Sequence, residues 1–147
     1  MKISDIIDTK SIIAVSKSNS KRQLLQELAA KASETSSIDE RTIFDALLER
    51  ENLGTTGFGN STALPHARIA AAKKVFGVFA KLNSSIDFES VDGKPVDLVF
   101  MLISPEDSGA DHLTALAQAS RVLKDEGVCK KLRHANNPDE IFSILIQ

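Results

Sequence analysis

Apolar side chains recur every three to four residues in the first third of the chain, the period of a helix packed by one face. One such stripe follows possible N-caps at Ser18–Ser20 and consists of Leu24, Leu25, Leu28 and Ala32. A second helix is predicted from a cap at Asp39 to Asn52, with a stripe of Ile43, Phe44, Leu47 and Leu48. Two consecutive amphipathic helices are therefore expected.

Three apolar runs have the length of buried strands rather than of helices. They are Ser11–Val15, Val75–Leu82 and Val96–Ile103. The Asp92-Gly93 pair between the last two predicts a turn, and hence an antiparallel pairing of those strands. Residues 54–66 are predicted to be a loop that continues as extended chain.

The last third of the chain is predicted to be helical. Ser108 and Asp111 have the spacing of a capping box, and Gly127 can end the helix that follows them. The stripe predicted for this helix is Leu113, Leu116, Ser120 and Leu123. Two short helices follow, the second with Pro138 in its first turn. Strands interleaved with helices predict an α/β fold, a three-layer sandwich with a mixed sheet and helices on both faces.

The composition is that of one globular domain over residues 1–147. Hydrophobic residues make up 42% and charged residues 26%, and the net charge is −2. An acidic balance without Trp or Tyr disfavours nucleic-acid binding, because neither a basic footprint nor a stacking platform is present. The single cysteine, Cys129, excludes an internal disulfide and is typical of a reducing compartment. With neither a signal peptide nor a membrane-spanning run in the sequence, we expect a cytoplasmic protein.

The segment GTTGFGNSTALPH, residues 54–66, is rich in glycine and hydroxyl groups but departs from both nucleotide-binding motifs. Asn60 stands where a P-loop needs its lysine, and Thr62 replaces the third glycine of the dinucleotide motif. Pro65 continues the segment in extended geometry instead of a helix. The glycines allow a bulky group to approach the backbone. We therefore predict a seat for a phosphoryl group carried by another protein, formed by Gly57, Gly59, Asn60, Ser61 and Thr62.

Three histidines are candidates for chemistry. His66 follows the rigid Pro65, and His112 lies in a predicted first helical turn, where the helix dipole favours anions. His134 belongs to a short basic helix and is predicted to be structural or exposed. From the residues alone, His66 could also be an ordinary hydrogen-bonded histidine. A zinc site of His66, His112 and Asp111 is a further alternative, but the close ligand spacing of such sites is missing.

The run LLERENLGTTGFGNSTALPHARI resembles the signature of the mannitol/fructose-type enzyme IIA domains of the bacterial phosphoenolpyruvate:sugar phosphotransferase system. The run DHLTALAQASRVL resembles the second motif of that family, and the chain is most similar to its nitrogen-regulatory branch. The resemblance implies that His66 accepts the phosphoryl group, that His112 is the second histidine of the site and that Arg50 holds the group. Taken alone, Arg50 would be interpreted as a solvated charge at a helix end.

The resemblance also implies a donor, a small HPr-type phosphohistidine carrier, and requires neither a cofactor nor a metal. Two functions stay open on the sequence. The chain is either a regulatory phosphocarrier whose state controls partner proteins, such as a sensor kinase or a potassium transporter, or a relay to a sugar-specific IIB protein. The sequence leaves open whether such a phosphoryl relay should be counted as an enzyme. A binding module that is never phosphorylated is a third interpretation, which holds only if His66 is inert.

Overall fold

The computed structural model describes residues Met1–Gln147 and consists of six helices and a six-stranded sheet. The helices are α1 (Ile3–Ile6), α2 (Lys21–Ser36), α3 (Glu40–Leu53), α4 (Ala110–Lys124), α5 (Glu126–His134) and α6 (Pro138–Leu145). The strands are β1 (Ile12–Ser16), β2 (Gly57–Gly59), β3 (Thr62–Ala63), β4 (His66–Arg68), β5 (Phe76–Ile86) and β6 (Val96–Ser104). A short 3-10 turn, Thr9–Ser11, precedes β1.

The sheet is mixed, as the sequence predicts. Its order is β1-β5-β6-β3-β2, with β4 pairing the same side of β6 as β3 but further along the strand. The β5–β6 and β2–β3 pairs are antiparallel, whereas β1–β5, β3–β6 and β4–β6 are parallel. Because β4 pairs only with β6, its other edge is open toward the helices beside it.

Helices cover both faces of the sheet, and each face has its own apolar core. Residues 98–103 of β6 alternate between the two cores, which explains why all six are apolar. Val99, Met101 and Ile103 pack against α2 and α3, and Leu98, Phe100 and Leu102 pack against α1, α4, α5 and α6. The predicted three-layer arrangement is therefore confirmed.

The caps predicted for the first two long helices are present. The Ser20 hydroxyl accepts a hydrogen bond from the Gln23 amide, and the Asp39 carboxylate accepts one from the Thr42 amide. The predicted stripe of α2 is fully buried, and Ile43, Phe44 and Leu47 form the buried stripe of α3. Local sequence signals were sufficient for these two helices.

The prediction for α4 is wrong in its start and only partly right in its stripe, of which Leu123 is buried as predicted and Leu116 packs against the core. Gly109 is the N-cap, without a side-chain cap, and the Ser108 hydroxyl donates instead to the carbonyl oxygen of Pro105. Leu113 is 65% exposed, whereas the buried residues of α4 are His112, Ala115, Ala119 and Leu123. The buried face of α4 therefore consists of His112, two alanines and Leu123, and it begins one residue before the predicted stripe.

The predicted end of α4 at Gly127 is also wrong. The helix ends at Lys124, and Asp125 then caps α5 by accepting a hydrogen bond from the Val128 amide. Gly127 therefore lies in the first turn of α5. Cys129, on the same helix, is buried as the sequence predicts. None of the helices combines the length and the apolar character needed to span a membrane.

Candidate functional site

Both candidate histidines line one cavity at the open edge of β4. The cavity has a volume of about 360 Å³ and lies between the end of α3, the strand β4 and the start of α4. Arg50 and Arg68 also line it, together with Ala46, Glu49, Leu53 and Ala67. Three separate segments of the chain thus bring two imidazoles and two guanidinium groups together.

His66 is positioned by the backbone on either side of it. The Pro65 carbonyl accepts a hydrogen bond from the Leu102 amide at 2.9 Å, which attaches the start of β4 to β6. The Nδ1 atom of His66 lies 2.8 Å from the carbonyl oxygen of Leu64. A carbonyl oxygen only accepts hydrogen bonds, so Nδ1 carries the proton. In the neutral ring this leaves the lone pair on Nε2.

His112 lies on the buried face of α4 and is only 6% exposed. Its Nδ1 atom is 2.6 Å from the hydroxyl oxygen of Ser104, the last residue of β6. The ring centroids of His66 and His112 are 5.8 Å apart, with the ring planes tilted by 53°. A group of phosphoryl size bound to one ring is therefore within reach of the other.

The two arginines approach the cavity from different elements. Arg50 lies in the last turn of α3, and its Nη1 donates to the carbonyl oxygen of Gly54 at 2.9 Å. Arg68 lies two residues after His66 on β4 and donates to the carbonyl oxygen of Glu106 at 3.3 Å. Sequence reasoning missed Arg68, although the alternation of an extended strand places residues 66 and 68 on one face.

A buried ion pair holds the end of α3 next to this site. The side chain of Glu51 is 2% exposed, and its carboxylate lies 2.9 Å from the Lys21 ammonium of α2. The same carboxylate accepts hydrogen bonds from the amide and the hydroxyl of Thr56. Because Glu51 follows Arg50 directly, this cluster fixes the turn of helix that carries the arginine.

Burial and the arginines keep both imidazoles neutral at neutral pH. Desolvation is the largest cause of the lowered pKa of His66, and the positive charge of Arg50 lowers it further. Desolvation likewise lowers the pKa of His112, followed by the charges of Arg68 and His66. A neutral imidazole is the nucleophilic form, so His66 is ready to react under these conditions.

The hairpin within the glycine- and hydroxyl-rich segment lies away from the two histidines. Residues 57–63 form a β-hairpin whose two turn residues, Asn60 and Ser61, have φ angles of 56° and 63°. Positive φ at both positions is the signature of a tight two-residue hairpin turn. Thr62, next to the turn, pairs with Leu98 of β6. His66 pairs with Leu102, which lies four residues, or about 13 Å, further along the same strand.

Contacts within the hairpin explain its unusual composition. A side chain at Gly57 would collide with Ser90, since its Cβ would lie 2.6 Å from the serine hydroxyl. Thr62 is buried and donates to the carbonyl oxygen of Gly59. The Asn60 carbonyl accepts a hydrogen bond from Arg133, which also pairs with Asp97. None of the residues predicted to seat the phosphoryl group lines the cavity, and their role as a seat stays a prediction; they are Gly57, Gly59, Asn60, Ser61 and Thr62.

The remaining candidates lie outside the cavity. His134 is exposed at the end of α5, as the sequence predicts. Asp111 is exposed on α4, and the structure groups no three His, Cys, Asp or Glu side chains in a way that could hold a metal ion. A larger cavity, of about 710 Å³, lies between the N-terminal residues and the α2–α3 connection and contains no histidine.

The chain matches the profile of one protein family along nearly its whole length. The family is described as phosphoenolpyruvate-dependent sugar phosphotransferase system, EIIA 2, and the match covers residues 5–147. The chain belongs to this family. The resemblance seen in its sequence motifs is thereby confirmed.

Relatives of this IIA chain fall in both branches considered above. A nitrogen regulatory protein of Bradyrhizobium diazoefficiens is 50% identical over 145 residues, which are 99% of this chain and 95% of that protein. A fructose-specific EIIA component of Haloferax volcanii is 38% identical over 126 residues, 85% of this chain and 80% of that protein. The crystal structure of the nitrogen regulatory protein IIA-Ntr from Neisseria meningitidis has a TM-score of 0.92 at 31% identity, covering 97% of this chain and 98% of that one.

We expect His66 and His112 to titrate below the ordinary imidazole value of 6.5, because burial and the nearby arginines oppose their protonation. The unfolded chain takes up these protons at a higher pH than the folded one, so stability should fall as the pH drops below 6.5 and should not depend on these groups above it. Proton NMR of the ring C–H groups, assigned with His66→Gln and His112→Gln variants, measures the midpoints. A midpoint above 6.5 for either ring would contradict this electrostatic picture of the site.

Proposed function

We propose that the Nε2 atom of His66 accepts a phosphoryl group and that the chain acts as a regulatory phosphocarrier of the nitrogen branch. The observation that carries the proposal is the hydrogen bond between Nδ1 of His66 and the carbonyl oxygen of Leu64. It leaves the Nε2 lone pair as the nucleophile in a cavity lined by two arginines and a second histidine. The donor is phosphohistidine on a small HPr-type carrier.

The transfer needs positioning and charge neutralisation rather than a further reactant. The Nε2 lone pair of His66 forms the new N–P bond while the N–P bond of the donor phosphohistidine breaks, and the donor imidazole leaves with the bonding electrons. The proton on Nδ1 of His66 stays in place, and the Leu64 carbonyl stabilises the positive charge that the ring gains. The product keeps a high transfer potential, because a protonated imidazole is a good leaving group.

The side chains around the cavity neutralise the transferred group. Arg50 and Arg68 present guanidinium forks, which can donate two parallel hydrogen bonds to phosphoryl oxygens. His112 contributes an N–H donor from the first turn of α4, where the positive end of the helix dipole also favours an anion. Arg50, Arg68 and His112 thus together neutralise the charge that develops on the phosphoryl oxygens.

One comparison favours a regulatory role over a sugar-specific one. Identity to the nitrogen regulatory relative, at 50%, is higher than to the fructose-specific relative, at 38%, and extends over more of the chain. Leu53, which lines the cavity, is 82% exposed and offers an apolar surface that a partner protein of either kind can cover. Relay of the phosphoryl group to a separate IIB protein is the second candidate, favoured by the fructose-specific relative.

We expect phosphoenolpyruvate, enzyme I and an HPr-type carrier together to add one phosphoryl group that is labile to acid and stable to base. His66→Ala should abolish the label, whereas the matched control His134→Ala, an exposed histidine of α5, should retain it. NMR of the labelled protein should show the phosphorus attached to Nε2. Labelling of the His66→Ala protein, or attachment to Nδ1, would overturn the proposed acceptor.

Removing either arginine of the cavity should slow transfer without unfolding the protein. For Arg50→Ala and Arg68→Ala we expect rates lower by roughly ten- to a thousand-fold, the range for loss of one donor to transition-state charge. Arg41→Ala is the matched control, since Arg41 lies at the other end of α3 and forms only an exposed pair with Asp45. Rapid-quench measurement of labelling decides the point. Control-like rates in both cavity variants would exclude the arginine clamp.

Phosphorylation should change which proteins bind over the cavity. The group adds about −1.5 to −2 charges beside Leu53, so a partner that buries this side of the cavity must desolvate the phosphoryl group, while a partner with a basic patch gains affinity. Binding of candidate partners, such as a sensor kinase or a potassium transporter, should be compared for unmodified, phosphorylated and His66→Ala protein. Equal binding in all three states, combined with rapid phosphoryl transfer to a IIB protein, would favour the sugar-specific function instead.

A further inference from the structure

Ser104 and His112 form an isolated hydrogen-bonded pair behind the cavity. The Ser104 hydroxyl oxygen lies 2.6 Å from Nδ1 of His112, and this is the only hydrogen bond that either side chain makes. Ser104 is fully buried and ends the central strand β6, directly beside Arg68 of β4. The pair thus connects β6, whose side chains enter both cores, to α4, which contains the second histidine.

The surroundings of Ser104 determine the direction of this hydrogen bond. If Nδ1 of His112 carried the proton, it would donate to the hydroxyl oxygen, and the hydroxyl hydrogen of Ser104 would be buried without an acceptor. Buried donors without acceptors are strongly disfavoured. The hydroxyl therefore donates to Nδ1, and the proton of the neutral imidazole is on Nε2.

We infer that Ser104 is a positioning residue, which holds His112 in the tautomer that presents an Nε2–H donor to a phosphoryl group on His66. The inference rests on the proposed function, since it assigns a task within the phosphorylated site. Phosphoryl oxygens accept hydrogen bonds, so the opposite tautomer would direct a lone pair at them and repel the group. Ser104 does not touch the phosphoryl group and acts only through His112.

The geometry makes the two histidines complementary. His66 has its proton on Nδ1, toward the Leu64 carbonyl, and its lone pair on Nε2. His112 has its lone pair on Nδ1, toward the Ser104 hydroxyl, and its proton on Nε2. With 5.8 Å between ring centroids, the first ring can bind phosphorus while the second donates to one of its oxygens. The two rings differ in tautomer because the Leu64 carbonyl accepts a hydrogen bond from His66, whereas the Ser104 hydroxyl donates one to His112.

Ser104→Ala removes the hydroxyl and tests the inference in the full-length protein. Nitrogen-15 NMR of the imidazoles should show His112 as the Nε2–H tautomer in the wild type and as a mixture in Ser104→Ala. Phosphoryl transfer from an HPr-type carrier should slow about tenfold, less than on complete loss of a donor. Ser104→Thr, which keeps the hydroxyl, should restore the wild-type tautomer and most of the rate.

Two further variants separate this role from a purely structural one. Ser16→Ala is the matched control, because Ser16 is also fully buried at the end of a strand and hydrogen-bonded to a side chain, that of Glu27. It should leave both the His112 tautomer and the transfer rate unchanged. Adding Ser104→Ala to His112→Ala should cause no further loss of rate, because Ser104 has no target without the imidazole.

The outcomes distinguish failure of this inference from failure of the proposed function. An Nδ1–H tautomer of His112 in the wild type, or an unchanged tautomer and rate in Ser104→Ala, would overturn the role of Ser104 while His66 remains the acceptor. A double variant slower than His112→Ala alone would overturn that role as well. Absence of labelling on His66 would instead overturn the proposed function, and the tautomer of His112 would still report whether Ser104 controls it.

Discussion

β4 pairs in parallel with the last residues of β6, so that His66 lies beside Leu102 and Arg68 beside Ser104. Residues paired in register point to the same face of a sheet, and here that face is the one covered by α4. A shift of one residue would turn His66 toward α3 and bury it in the other core. Because Ala67 is buried in the core beneath α3 while Arg68 is exposed, this register is strongly specified, and the positions of His66 and Arg68 depend on it.

The parts of the fold that could be predicted are those set by short-range signals. Ser20 and Asp39 start α2 and α3, and the unbroken apolar run of β6 marks a strand buried on both faces. The phase of α4 is not set by such signals, since Leu113 and Ala115 both fit a helical stripe and only Ala115 is buried. The phase depends on how the helix packs against the sheet, which is a property of the packed structure rather than of the segment.

The same division applies to the site. His66, His112 and Arg50 were identified through family motifs, and the structure brings them into one cavity. Arg68 lies two residues after His66, so strand alternation alone places it on the same face, whereas the position of Ser104 follows from the pairing of two strands far apart in sequence. The glycine-rich segment fits both a tight hairpin and a phosphate-binding loop, because the two structures use the same residue types and both need backbone with positive φ.

The two imidazoles are held by oxygen atoms of different origin. The carbonyl behind His66 belongs to the main chain and is present whichever amino acid occupies position 64, whereas the hydroxyl behind His112 belongs to Ser104 and is lost in a single substitution. The hydrogen bond that orients His66 therefore survives substitution of residue 64, whereas the hydrogen bond that orients His112 is lost when Ser104 is replaced by a residue without a hydroxyl. Under the proposed function, substitution of Ser104 would change how firmly the phosphoryl group is retained while His66 kept the capacity to receive it.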